Sequence, residues 1–395
     1  MRIGFFADEF LPRLDGVIVS MLSTAEGLRK LGHEVYFIVP AYPGHHGDEF
    51  TIRVPSSAGP LNDNIRLMLP NWRIRKVIGG LNLDIIHSHT PLTAGILARK
   101  AAQELNLPHI ATFHTLLPVI IDYYPVRSKT IYAPVIAALL SDILWSSNLS
   151  HYIPPASAGK SNSRRWAWRV TAAYADSVDL VISPSKHYAH ELKQLGISVP
   201  VKVLPTGLDL TGYKANNARP NQPLHLIAVG RLSEEKRQGV LLESIASLPK
   251  SLVTLNLVGD GQARDKLESV VEKKALQNVE FSGAVQPSQI PQLLSKANVG
   301  VMVSHGFDTQ CLALVEYMAA GLPVLYCDSN LKEVVGPDAG LLTKPDAKSI
   351  TDGLLYLSKN LKIRQRMSVA AVKRSKEYSY MATAKKLEKI YQDFL

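Results

Sequence analysis

Residues 304–326, SHGFDTQCLALVEYMAAGLPVLY, read as a strand end, a loop, a helix and a second strand. Ahead of them Val299–Ser304 (VGVMVS) is a short β-rich apolar run, and His305–Gln310 supplies the Gly and Asp of a loop. From Leu312 onward Leu312, Val315, Met318 and Ala319 keep helical spacing, Gly321 stands where a helix stops, and Pro323 follows it. The loop before that helix is expected to be a helix N-terminus. Its N–H groups, from about Thr309 through Gln310 and Cys311 to Leu312, would suit an anion such as a phosphate. Asp308 and Glu316 bracket the site. If the helix includes both, they lie about 12 Å apart along its axis. Paired glycosidase carboxylates lie roughly 5–9.5 Å apart, so two ends of one extended ligand are expected, set against a capping Asp and a solvated Glu.

The same strand–helix alternation runs outward in both directions. Arg2–Ala7 reads as a strand, Ser20–Leu31 as a helix ending at Gly32, Glu34–Pro40 and Asp84–His89 as strands, Leu92–Leu105 as a helix and His109–His114 as a strand. Val178–Ser183 and Val201–Leu204 complete a first domain, and Pro205–Pro223 is the linker. The pattern restarts with Leu224–Val229, Val253–Val258, Val279–Phe281, Val299–Ser304 and Val324–Cys327. Such alternation implies an α/β chain of doubly wound parallel sheets. The expected organisation is a first domain over 1–205, a second over 206–375 and a closing amphipathic helix within 376–395 that packs back on the first domain. A cleft between the two domains is the simplest architecture.

The composition agrees. A chain of 395 residues exceeds one ordinary core, and 20% charged with 46% hydrophobic residues is the balance of a soluble globular protein. The first ten residues, MRIGFFADEF, are acidic within a strand-like run and unlike a signal peptide. No run reaches the ~20 apolar residues that span a bilayer. Two cysteines, Cys311 and Cys327, suit a reducing compartment. Cys311 is read either as a small filler or as a reactive thiol beside the anion site. No metal-ligand spacing stands out, and His87 and His89, in HSHTP, are expected to turn to opposite faces rather than share an ion.

The net charge of +10 is uneven: residues 1–64 carry a net −3 and residues 65–170 a net +8. A basic block implies an anionic partner. It contains Trp72, Arg73, Arg75 and Lys76, then a long insertion, about 118–170, with Tyr123, Tyr124, Trp145, Trp166 and Trp168 and with Arg164, Arg165 and Arg169 at its end. Aromatics interleaved with cations suit an anionic membrane surface. A self-packing insertion with a solvated basic face competes with that reading, and nucleic acid is not expected.

Within the second domain VGRLSEEK places Arg231 and Lys236 at a carboxyl strand end, where both can converge on a diphosphate. LVGDG, with Gly259, permits close backbone approach to a ligand. In the first domain Gly16 precedes a helix, and His114 closes a strand.

The runs PTGLD (Pro205–Asp209), VGRLSEEK, LVGDG, FSGAV (Phe281–Val285) and FDTQCLALVEYMAAGLPV together resemble, over nearly the whole chain, the retaining GT-B glycosyltransferases of family four, in feel the diacylglycerol glucosyl and galactosyl synthases and phosphatidylinositol mannosyltransferases. The resemblance implies two Rossmann-like domains and transfer of a hexose from a nucleotide sugar to an acceptor. It assigns Arg231 and Lys236 to the donor diphosphate, Glu316 to the ribose, Asp308 to the sugar hydroxyls, the backbone of Thr309 to Leu312 to sugar and phosphates, Gly16 to the diphosphate, and His114 to the sugar near the reacting carbon. The family's Glu and Gly-Phe-Gly are replaced here by Asp308 and Thr-Gln-Cys. No cofactor and no metal are expected. UDP-glucose or UDP-galactose and a lipid acceptor on the cytoplasmic face of an anionic membrane are favoured. GDP-mannose, a soluble acceptor, or a non-catalytic lipid or nucleotide-sugar binding protein are the alternatives, and no residue pattern sets the oligomeric state.

Overall fold

The computed structural model describes residues 1–58, 66–69, 71–114, 148–215 and 223–395. These residues form two compact units, Met1–Gly207 with Tyr380–Leu395, and Leu208–Ser379.

In the first unit the order is β1 (Arg2–Phe6), α1 (Gly16–Lys30), β2 (Glu34–Pro40), β3 (Thr51–Val54), β4 (Ser56–Ala58), β5 (Arg66–Met68), α2 (Trp72–Gly80), β6 (Ile85–Ser88), α3 (Thr93–Leu105) and β7 (His109–Thr112). Then come α4 (Asn162–Ala175), β8 (Leu180–Ser183), α5 (Lys186–Gln194) and β9 (Val201–Val203). Seven strands pair in the order β3-β2-β1-β6-β7-β8-β9, all parallel, while β4 and β5 form an antiparallel pair apart from the sheet. Strands β1, β6, β7 and β8 are buried on both faces beyond Arg2, as a sheet covered by helices on both sides requires. Ile18, Met21, Ala25 and Leu28 of α1 share one core with Ile3, Phe5, Ile85 and Ile110, and Ala94, Leu97 and Ala98 of α3 share another with Phe6, Ile38 and Ile86.

The last helix, α13 (Tyr380–Gln392), belongs to this unit: Ala384, Leu387 and Tyr391 enter the α1 core. Its polar contacts fix its register, with Glu388 Oε1 against His33 Nε2 at 2.9 Å and the Thr383 hydroxyl donating to Pro205 O at 3.1 Å.

In the second unit β10 (Leu224–Val229), α6 (Gln238–Ala246), β11 (Val253–Val258), α7 (Arg264–Lys273), β12 (Val279–Gly283), α8 (Ile290–Leu294) and β13 (Val299–Met302) are followed by α9 (Leu312–Ala319), β14 (Val324–Tyr326), α10 (Lys332–Val335), β15 (Gly340–Leu342), α11 (Ala347–Lys359) and α12 (Leu361–Ser375). The strand order is β12-β11-β10-β13-β14-β15, again all parallel. Numbered within each unit, both sheets begin 3-2-1-4-5-6, the doubly wound order whose direction reverses between the first and fourth strands. That reversal lies between β1 and β6 in one unit and between β10 and β13 in the other.

Several expectations change. Helix α1 begins at Gly16 rather than Ser20, because the Asp15 side chain caps it by accepting from Val17 N at 2.9 Å and Ile18 N at 3.1 Å. His87 and His89 share a side, their rings stacked at 4.3 Å, since residues two apart in an extended chain face the same way. The end of the expected insertion, from residue 162, is α4, a helix of the first core. Trp168 on that helix is only 1% exposed and packs edge-on to Tyr188, so it is a core residue and not a membrane contact. Tyr123, Tyr124 and Trp145 lie outside the described residues.

Candidate active site

The reversal point of the second sheet gathers the residues that the sequence singled out there. Arg231 and Lys236 follow β10, and Asp308, Thr309, Gln310, Cys311, Leu312 and Glu316 follow β13. The turn after β10 is built by close backbone packing. Gly259 has φ +135, and a Cβ there would stand 2.1 Å from Gly230 O, so only glycine fits. Gly259 N donates to Gly283 O at 2.8 Å, Leu232 N to Asp260 O at 3.0 Å, and the Gln238 side-chain amide to Arg231 O at 2.8 Å. These bonds present the Arg231 side chain at the exposed carboxyl edge.

Lys236 is the largely buried cation of the site, its side chain 16% exposed. Its Nζ donates to Asp308 Oδ1 at 2.6 Å and lies 5.3 Å from the centre of the Phe307 ring. Burial alone would push this ammonium down, but the Asp308 carboxylate outweighs it and raises the Lys236 pKa. The other Asp308 oxygen accepts the Ser304 hydroxyl at 2.5 Å. Asp308 is therefore not inside the helix with Glu316, as the axial estimate assumed; it lies four residues before α9, tied to Lys236.

Helix α9 starts at Leu312, with Cys311 at φ 61 as its cap residue and no side-chain cap. Its first-turn N–H groups thus begin at Leu312 rather than Thr309, and Thr309 and Gln310 belong to a buried approach loop. Burial pushes the Cys311 thiol up to about 12, which favours the small-filler reading over the reactive thiol. Five residues beyond Cys311, Glu316 Oε1 accepts the Tyr213 hydroxyl at 2.9 Å. Burial raises the Glu316 carboxyl to about 7, and the Tyr213 bond only partly opposes it. Behind the helix the Tyr317 hydroxyl accepts Val229 N at 2.6 Å, a contact that needs Gly300: a Cβ there would meet the Tyr317 ring at 2.3 Å.

Tyr213, Ser304, Phe307 and Tyr317 were not singled out from sequence. Ser304 and Phe307 carry a local signal, since both lie in the loop that holds Asp308. Tyr213 carries none, being 103 residues from Glu316.

The first sheet's edge is different. Gly16 opens α1, where Asp15 already occupies two N–H groups. The Asp8 carboxylate, buried after β1, accepts the Thr90 hydroxyl at 2.5 Å, Ala94 N at 2.8 Å and the Thr93 hydroxyl. His114 follows β7, and burial brings its pKa down to about 4 with Asp15 opposing, so the ring is neutral at physiological pH.

Helix α2 exposes Trp72 at 64% together with Arg73, Arg75, Lys76 and Val77, and Leu69 just before it is exposed as well. Arg75 pairs with Glu104 at 3.2 Å. On α4, Trp166 is exposed and Arg164, Arg165 and Arg169 are partly so, with Arg169 Nε donating to Tyr152 O at 3.3 Å. Among the described residues no helix is long and apolar enough to cross a membrane, and no group of three His, Cys, Asp or Glu could hold a metal ion.

Two doubly wound domains, one with cations and an uncapped helix at its reversal point, have the architecture of GT-B glycosyltransferases. Residues 14–211 match Glycosyltransferase Family 4 and residues 211–374 match Glycosyl transferases group 1, so the chain belongs to this glycosyltransferase family. It is 26% identical over 417 aligned positions to the alpha-monoglucosyldiacylglycerol synthase of Acholeplasma laidlawii, covering 100% of this chain and 98% of the relative. It is 25% identical to the phosphatidyl-myo-inositol mannosyltransferase of Mycobacterium leprae, over 99% of this chain and 96% of the relative. Among solved structures, Anabaena Alr3699/HepE in complex with UDP and glucose superposes with a TM-score of 0.73 at 17% identity, over 99% of each chain.

Proposed function

We propose that this glycosyltransferase moves a hexose from a nucleotide sugar, UDP-glucose or UDP-galactose, to a membrane lipid such as diacylglycerol. The observation that carries the donor side is the second domain's reversal point, where the Lys236–Asp308 pair and Arg231 stand by a helix N-terminus that no side chain caps. A nucleoside diphosphate bound there would meet a guanidinium, an ammonium and first-turn N–H groups from Leu312 onward. Glu316 would accept from the ribose hydroxyls, Asp308 from sugar hydroxyls, and neutral His114 would contact substrate, while Gly259 serves the close packing of the turn against Gly230 O.

In the transfer step the acceptor hydroxyl oxygen bonds to the anomeric carbon as the bond from that carbon to the diphosphate oxygen breaks. The electron pair leaves with the diphosphate, and the hydroxyl proton passes to it on the same face, which retains configuration. Charge grows on the leaving phosphate, and fixed cations and N–H groups aimed at that point lower the barrier without reorganising. Cationic side chains thus take the part a divalent ion would play, and no metal is needed.

For the lipid acceptor, support comes from the two relatives, named for a diacylglycerol and a phosphatidylinositol acceptor, and from the exposed face of α2, where Trp72 and Val77 stand among Arg73, Arg75 and Lys76. Each basic residue near an anionic surface contributes about 1 kcal/mol, so the protein would dock peripherally on the cytoplasmic leaflet. A mannosyl donor is the second reading, favoured by the mannosyltransferase among the relatives.

The test is nucleotide release from UDP-glucose, UDP-galactose and GDP-mannose, with and without vesicles of diacylglycerol and an anionic lipid. Release from one UDP-sugar only with vesicles is expected. Release from GDP-mannose alone would shift the donor, and vesicle-independent release would refute the lipid acceptor.

A further inference from the structure

The carboxyl edge of the first sheet holds a polar network that, apart from the substrate contact proposed for His114, the donor chemistry above does not use. Three imidazoles run through it. His87, on β6, is held at both nitrogens, Nδ1 against the Tyr391 hydroxyl at 2.6 Å and Nε2 against the Thr112 hydroxyl at 2.7 Å. His89 lies over His87 with ring centroids 4.3 Å apart and planes 23° apart, and Phe5 packs edge-on to it at 4.5 Å. His89 Nδ1 then lies 2.9 Å from His114 Nε2. Those two rings are within 15° of parallel, yet their centroids are 5.2 Å apart. Near-parallel rings so far apart, with nitrogens so close, are joined edge to edge by an in-plane hydrogen bond.

One proton occupies that bond. His89 is buried, and its Nε2 has no hydrogen-bond partner among the described residues. Were His114 the donor, neutral His89 would carry its own proton on Nε2, as a buried N–H without an acceptor. Orphaned buried donors are rarer than under-satisfied acceptors, and an unmade bond costs the full desolvation of the group. The reverse arrangement leaves only a lone pair at Nε2.

We infer that His89 is a positioning residue for His114: its Nδ1–H donates to His114 Nε2, locks the ring plane and fixes His114 as the neutral tautomer protonated at Nδ1. His87, pinned by Tyr391 of the last helix and by Thr112, backs the His89 ring and sets its angle. The consequence for turnover rests on the substrate contact proposed for His114; the assignment of the tautomer does not.

Two-bond proton–nitrogen correlation spectra of the full-length protein labelled with nitrogen-15 histidine test it, with His114→Gln identifying the signal. The expected wild-type pattern is a protonated Nδ1 and a bare Nε2 on His114. His89→Phe keeps a flat ring against His87 but cannot donate. It should shift His114 toward the Nε2–H form and lower kcat about tenfold or more with the donor KM within about twofold. His89→Asn, whose amide N–H falls near the Nδ1 position, should restore both readouts. An Nε2–H pattern in the wild type would overturn the inference, as would a His89→Phe protein that loses only thermal stability while His114's pattern and kcat stay as they were. If the tautomer is as stated but His114→Ala turns over normally, the positioning stands and the substrate role of His114 fails.

Discussion

The two domains share one strand order and treat the ends of their strands in opposite ways. In the first, carboxylates of the protein itself fill the helix N-termini at the reversal point: Asp15 takes the N–H groups of Val17 and Ile18, and Asp8 takes Ala94 N with two threonine hydroxyls. In the second, α9 has no side-chain cap, and the nearby carboxylates are engaged elsewhere, Asp308 with Lys236 and Ser304, Glu316 with Tyr213. An N-terminus that already holds an anion has little to offer a phosphate, whereas an uncapped one beside two cations attracts it. On the function proposed above, a few side chains and not topology would decide which domain takes the charged ligand.

The largest effect should follow from removing the cations. Arg231→Ala and Lys236→Ala are each expected to lower transfer about 10²–10³-fold, the range seen when one fixed donor to a developing anion is lost. Initial rates of nucleotide release, with circular dichroism to confirm folding, check this. Unchanged rates in both would mean that the second domain's edge is not the anion site. Next comes Asp308→Ala, which leaves the largely buried Lys236 ammonium without its carboxylate partner. Stability should fall by roughly 3 kcal/mol, read as a lower midpoint in urea, while Asp308→Asn keeps the hydrogen bond and should fall less.

The comparison also shows what a sequence discloses. Strands and helices were legible because apolar periodicity is local. Arg231, Lys236 and Asp308 stood out because each lies in the loop region that follows a strand, and Glu316 because it sits on the helix after such a loop. Contacts across long separations were not: Tyr391 reaches His87 from 304 residues away, and Tyr213 reaches Glu316 from 103. Trp166 and Trp168 were read together as interface aromatics, although two positions on a helix differ by about 200°. One is exposed and the other buried for that reason. Helix capping by Asp15 was equally readable, since an Asp directly before a helical run is a strong N-cap signal.

A smaller effect concerns pH. The Glu316 carboxyl is raised by burial from 4.5 to about 7 in the folded protein. The proton it holds when folded therefore favours the native state below the ordinary carboxyl range, and that contribution disappears as pH rises through about 7. Glu316→Gln cannot lose a proton, so its stability relative to wild type should be greater at pH 8 than at pH 5, measured by denaturant unfolding. A difference independent of pH would mean that the carboxylate is already ionised at the lower value, with Tyr213 outweighing burial.

The smallest effect tests the self-capped edge. Asp15→Ala removes the acceptor for two first-turn N–H groups and a 3.4 Å ion pair with Arg13. Loss of an N-cap side chain costs about 1 kcal/mol, and the loss of the part-buried ion pair adds to it. Asp15→Asn keeps the acceptor and should lose only a fraction of that. Donor affinity, followed by calorimetric titration with the nucleoside diphosphate, should stay within about twofold of wild type, because emptying one cap supplies N–H groups but no cation to hold a diphosphate. If Asp15→Ala instead tightened that binding markedly, the Asp15 carboxylate would be a competitor occupying a phosphate position. The Gly16 end of α1 would then be a second anion site, held closed by its own cap.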